Sequence, residues 1–137
     1  MLVIEILNYE VPDVFTDSGK DDRYLWRRNV RSAIRNAIKK INVPGIKKRN
    51  SITFVFGPEW KPNKDVVDDP MIARVFIKGL KVREDRPTEM RQAMARAIGD
   101  VLIERLESWW CVEIYSREGD SPIVVKQPEK NDVPDLG

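Results

Sequence analysis

Apolar and polar positions along the chain repeat one order, strand then helix then strand, twice. Leu2 to Asn8 is a short apolar run interrupted by Glu5 and reads as a first strand. Tyr9 to Asp22 follows as a loop, with turn formers Pro12, Asp17, Ser18 and Gly19. From about Asp22 to Ile41 the apolar residues Trp26, Val30, Ala33, Ile34, Ala37, Ile38 and Ile41 fall within an arc of roughly 100°, which predicts an amphipathic helix. Asp21 and Asp22 at its start, and Lys39 and Lys40 at its end, match the helix dipole, and Asn42 with Pro44-Gly45 stops it. Ser51 to Phe56 is dense in β-branched and aromatic residues and predicts a second strand, ended by Gly57-Pro58.

The second unit begins after a polar connection. Met71 to Lys78 predicts a third strand, closed by Gly79. A second helix is expected from Asp85 or Thr88 to Ser108, with Pro87 and Glu89 as start signals. Its tight apolar stripe is Met90, Met94, Ala97, Ile98 and Val101, widened by Leu102, Ile103 and Leu106. Trp110 to Ser116 predicts the fourth strand, and Ile123 to Lys126 a short extra one. The expected organisation is a single domain over residues 1–126, made of a β-α-β unit (1–57), a linker (58–70), a second β-α-β unit (71–118) and the short strand (123–126), with a polar tail over 127–137.

Each helix is long enough to carry a right-handed crossover between parallel strands. The expected fold is therefore α/β (α+β): a four-stranded mixed sheet with two helices on one face. Side chains alternate along a strand. One sheet face collects Ile4, Ile6, Phe54, Phe56, Ala73, Val75, Ile77, Val112 and Ile114 and is the natural seat for the helices. The other carries Val3, Glu5, Leu7, Val55, Arg74, Phe76, Lys78, Glu113 and Tyr115. Large apolar groups mixed with opposite charges suit neither open water nor a dry core. Self-association through this face, with a cross-strand cluster of Glu5, Arg74 and Glu113, is the expectation.

Composition narrows the chemistry. The 137 residues include no histidine, which excludes Ser-His and Cys-His catalytic pairs and His-ligated metal; no metal site and no cofactor is expected. Proton transfer would fall to a carboxylate, a lysine, a tyrosine or the chain's amino group. Cys111 is the single cysteine and reads as a buried structural thiol in a reducing compartment. The opening Met1-Leu2-Val3-Ile4-Glu5 is too short and too acidic for a signal peptide, and no stretch approaches the roughly 20 apolar residues of a membrane span. A cytoplasmic protein without membrane attachment is expected. Asp17, Asp21 and Asp22, and Asp65, Asp68 and Asp69, lack the ordered pattern of a calcium loop. No phosphate-binding or dinucleotide glycine motif occurs.

The stretches Arg74-Val75-Phe76-Ile77-Lys78-Gly79-Leu80, Glu84-Asp85-Arg86-Pro87-Thr88-Glu89 and Val112-Glu113-Ile114-Tyr115 resemble the tautomerase superfamily. So do Ala37-Ile38-Lys39-Lys40-Ile41-Asn42-Val43-Pro44 and Phe56-Gly57-Pro58-Glu59-Trp60 in the first unit. The resemblance covers residues 1 to about 118 and implies two β-α-β units per chain and a homotrimer. In the family an amino-terminal proline amine shuttles a proton beside a carbonyl. This sequence begins Met1-Leu2, so that proline is absent and leucine disfavours removal of Met1. Pro70 precedes the third strand, but its amide nitrogen is not a base. The resemblance leaves two readings, a non-catalytic member or one that uses the Met1 α-amine, which titrates near about 7.7 to 8.0. It also implies a small carboxylate ligand held by Arg83, Arg86 or Lys78, with Trp60 as an apolar wall.

Charge distribution supports an alternative. The net charge is +2, yet residues 24 to 58 hold nine cations and no acid, leaving the remainder at −7. Arg27, Arg28, Arg31, Arg35 and Lys39 lie roughly opposite the apolar stripe of the first helix and form a basic face for nucleic acid or an acidic protein partner. A solvated helix face is the plainer account of the same residues. The strand order also fits a ferredoxin-like binding domain.

Overall fold

The computed structural model describes residues 2–16, 21–46, 51–61, 72–79, 87–106, 111–116 and 123–125. The elements are β1 (Leu2–Leu7), α1 (Arg23–Ile41), β2 (Ile52–Phe56), β3 (Ile72–Lys78), α2 (Thr88–Arg105), β4 (Cys111–Ser116) and β5 (Ile123–Val125), with a 3-10 turn at Asp13–Phe15. They form one mixed sheet in the order β2-β1-β3-β4-β5. β1 pairs with β2 in parallel, and so does β3 with β4. β1 runs antiparallel to β3 and joins the two units. Both β-α-β units are thus unsplit, with no strand between the members of either parallel pair. The expected four-stranded sheet gains β5, antiparallel to β4, as a fifth strand.

Alternation decides which face is covered. Leu2, Ile4 and Ile6 of β1, Ala73, Val75 and Ile77 of β3, and Val112 and Ile114 of β4 are buried. Trp26, Val30, Ile34 and Ile38 of α1 bury with them, at the expected helical spacing. Phe54 and Phe56 share this face but stay half-buried, because β2 is an edge strand. α1 stops at Asn42, which takes the left-handed conformation at φ 59° and gives its N–H to the carbonyls of Ile38 and Lys39. Gly79 ends β3 at φ 86°, a conformation that a side chain would strain.

α2 departs from its expected stripe. Its buried residues are Arg91, Met94, Ala95, Ile98, Gly99 and Leu102, while Met90, Ala97 and Val101 are only half-buried. The helix packs on α1 along one side and on β4 and β5 along another, so two faces are covered. Gly99 sits against β5: a Cβ there would lie 2.6 Å from Val125 Cγ2. The helix also ends at Arg105, short of the expected Ser108, with Leu106 extended and its N–H bonded to Leu102 O at 2.9 Å.

The second face of the sheet carries the side chains expected of it. The cluster of Glu5, Arg74 and Glu113 resolves instead into two pairs. Arg74 lies opposite Glu113, with Nε to Oε2 at 3.5 Å. Both Arg74 and Lys78 are diagonal neighbours of Glu5, and Glu5 takes Lys78 at 3.8 Å. Phe76 stacks on Tyr115 with ring centroids 5.0 Å apart. Cys111 is half-buried rather than buried, and its Sγ lies 3.8 Å from Val125 O.

Gly99→Val should cost about 1–3 kcal/mol in urea unfolding through overpacking against Val125. Adding Val125→Ala should recover most of that loss.

Candidate functional site

Two cationic features and one polar cluster are built around α1 and the sheet. The helical repeat places Arg28, Arg31 and Arg35 along one side of α1. With Tyr24 and Ser32 they face Ile52, Thr53 and Phe54 of β2 across a groove of about 520 Å³. The Arg35 guanidinium lies 5.0 Å from the centre of the Phe54 ring, and that of Arg31 lies 5.7 Å from the centre of Tyr24. Tyr24 is 68% exposed. Lys39 is exposed in the last turn and extends the basic row. Among the described residues no ion pair engages Arg28 or Arg31.

Arg27 does not belong to this face. Its Nε and Nη2 donate to the Tyr9 hydroxyl at 3.1 and 2.8 Å, and Nη2 reaches Glu59 Oε2 at 3.4 Å. Arg23 donates to the same carboxylate oxygen at 3.0 Å. Glu59 lies one residue beyond the acid-free stretch of sequence, and the end of β2 returns it to the start of α1. Tyr9 is buried, stacked on Trp26 at 5.3 Å and edge-on to Phe56 at 5.8 Å. Burial pushes its hydroxyl above the ordinary tyrosine value, while the charge and hydrogen bonds of Arg27 pull it down. Sequence reasoning missed this cluster; its one signal is Tyr9 and Glu59 each lying just past the end of a predicted strand.

The second feature is at the head of β1. The antiparallel register sets Val3 opposite Lys78. Lys78, Ile77, Phe76 and Tyr115 line a cavity of about 430 Å³. Tyr115 donates to Glu113, and that bond raises its pKa. Of the expected site residues, Lys78 is here. Met1, Arg83 and Arg86 lie outside the described residues. Trp60 sits at the opposite end of β1, where its backbone N–H donates to Tyr9 O at 2.7 Å, so within one chain it does not wall the Lys78 cavity. Among the described residues no group of three His, Cys, Asp or Glu could hold a metal, and no helix is long and apolar enough to cross a membrane.

No family model and no curated protein matches the chain. Solved structures do. The crystal structure of native Ps01740 superposes with a TM-score of 0.50 at 18% identity, covering 85% of this chain and 95% of that one. That likeness extends to the fold. The crystal structure of N1, a member of the cis-3-chloroacrylic acid dehalogenase (cis-CaaD) family, gives a TM-score of 0.37 at 12% identity, covering 93% and 84%.

Because the Tyr9 pKa is raised in the fold, its contribution to stability is complete below the unfolded value of about 10 and is lost as pH rises through the folded value. Tyr9→Phe should cost about 1–3 kcal/mol at neutral pH by leaving Arg27 one partner short. Unfolding measured from about pH 8 to 11 should then fall less steeply in the variant than in the parent.

Proposed function

We propose that this chain is a tautomerase-like protein that binds a small enolisable carboxylate at the head of β1. Lys78 holds the carboxylate, and the α-amine of Met1 moves the proton. The observation that carries the reading is the cavity at Lys78, bordered by the stacked Phe76 and Tyr115 rings and set beside the first residues of β1. The order of the sheet, with two unsplit β-α-β units joined through β1 and β3, supports it.

The chemistry suits these groups. Leu2, the residue that follows Met1, is paired with Ile52 on one side of β1, while its neighbour Val3 faces Lys78 on the other. Lys78 now meets Glu5 at 3.8 Å, and its side chain is 43% exposed. Such a pair is worth about 0–1 kcal/mol, so a ligand carboxylate can displace Glu5. In ketonisation a base removes the enol O–H proton and its conjugate acid returns a proton to the α-carbon. An α-amine titrating near about 7.7 to 8.0 serves in both directions. The aromatic wall would take an aryl or alkyl substituent.

Self-association through the second sheet face belongs to the same reading. Val55 and Val124 on that face are 41% and 50% exposed, on either side of the half-buried Phe76 and Tyr115. A homotrimer would cover them.

Two measurements test this. Light scattering should give about 48 kDa, three times the 15.9 kDa chain, and a mass of one chain would overturn the assembly. Ketonisation of an aryl 2-keto acid enol should be followed by absorbance. Lys78→Ala should raise KM about tenfold or more, the loss of one charge-assisted contact. Acetylating the amino terminus should abolish kcat; unchanged turnover would exclude the amine as base.

A further inference from the structure

The groove between α1 and β2 carries chemistry that a small enolisable acid does not need. Arg28, Arg31, Arg35 and Lys39 follow at intervals of three, four and four residues. On an α-helix those steps return each side chain to the same side, in a row about 16 Å long. Like charges one turn apart repel and weaken a helix. Two other cations of α1 are relieved: Arg23 and Arg27 share Glu59, and Arg23 also meets Asp21 at 2.9 Å. Arg28 and Arg31 have no acid partner among the described residues. The repulsion is therefore concentrated where the surface is concave.

The lining is specific in kind. Its cations are arginines, whose planar forks suit phosphate oxygens, and not lysines. Two aromatic rings stand within it, Phe54 beneath Arg35 and the exposed Tyr24 beside Arg31. A row of cations alongside an open ring is the pairing that single-stranded nucleic acid uses, phosphates on the cations and a base on the ring. A carboxylate-bearing partner would satisfy the arginines and leave Tyr24 without a role. α1 keeps its apolar side on the sheet, so it cannot enter a duplex groove as a free helix, whereas a single strand can lie between it and β2. Three arginines in one groove give a local positive field that draws in a polyanion.

We propose that the α1–β2 groove binds single-stranded nucleic acid, with phosphates on Arg28, Arg31 and Arg35 and a base stacked on Tyr24.

The test is fluorescence anisotropy of a labelled oligouridylate of about 12 nucleotides, within the span that such grooves cover. Affinity should be followed over about 50 to 200 mM salt. Three or four phosphate contacts predict a slope of about −2 to −3 in log K against log salt, at about 0.7 per contact. The double variant Arg28→Gln with Arg31→Gln should bring that slope about 1.4 closer to zero. Tyr24→Ala should weaken binding at least about fivefold and leave the slope unchanged. Circular dichroism melting of each variant shows that the fold is kept; a variant that melts early is replaced by Arg28→Gln alone or Tyr24→Leu, for which the same directions are expected with smaller amplitude. No binding at the lowest salt overturns the proposal. So does binding that Tyr24→Ala leaves untouched while inorganic polyphosphate competes equally, which defines a plain polyanion site. Equal or tighter binding of oligoglutamate overturns it in favour of an acidic protein partner.

Discussion

The indole of Trp26 joins three separate parts of this molecule. It is buried, stacked on Tyr9 at 5.3 Å and edge-on to Phe56 at 6.4 Å, and its Nε1 donates to Arg105 O at 3.0 Å. One residue of α1 thereby touches the chain just past β1, the end of β2 and the last turn of α2. The last carbonyls of a helix lack intrahelical partners, and a buried indole N–H needs an acceptor. Each solves the other's problem, and together they fix where α2 stops relative to α1. With that contact set, both helices are held on one sheet face, and every strand must send its apolar alternation to that side.

The consequence falls on the second face. A strand that buries Ile4 and Ile6 must show Val3, Glu5 and Leu7 on its other side, and β3 and β4 obey the same rule. Opposite charges there find one another across the strands, and Phe76 finds Tyr115. Exposed pairs of this kind contribute little to stability. Their effect is on register: a one-residue slip of β1 against β3 would separate Glu5 from Lys78 and turn the core residues outward. The face is ordered within a single chain, and among the described residues Val55 and Val124 on it stay exposed.

Much of this was legible in the sequence, for a physical reason. Period-2 and period-3.6 patterns report burial on one side, so β1, β3, β4 and α1 were recovered with their faces. α2 was not, because it is covered on two sides. There a glycine and an arginine, Gly99 and Arg91, sit at buried positions that an apolar stripe does not mark. The basic face was legible as charge but not as geometry. Arg27 is indistinguishable from Arg28 in a window free of acids. Only the turn beyond β2, which carries Glu59 back to α1, separates the compensated cation from the exposed one. The diagonal choice of Glu5 between Arg74 and Lys78 likewise depends on how the strands twist, which alternation does not encode.

The two cationic features are less independent than their separate linings imply. α1 runs antiparallel to β2: Arg27 lies over Phe56, at the end of the strand, and Arg35 over Phe54, nearer its start. The carboxyl end of α1, with Lys39 and Lys40 in its last turn, therefore stands beside the beginning of β2. Leu2 pairs with Ile52 and Val3 with Thr53, and on the other side of β1 Val3 faces Lys78. The groove and Lys78 thus flank the head of β1 from its two neighbouring strands, which lie about 10 Å apart, the groove on the helix side of the sheet and the Lys78 side chain on the other. The acids that relieve Arg23 and Arg27 are gathered at the far end of the same helix. A crossover between parallel strands forces this arrangement, since the returning helix must deliver its carboxyl end to the start of the next strand. Cations placed late in α1 favour the helix dipole, and the topology carries them to the end of the sheet where Lys78 already stands. Positive charge at the head of β1 is thus a product of where the chain turns as much as of which residues it contains.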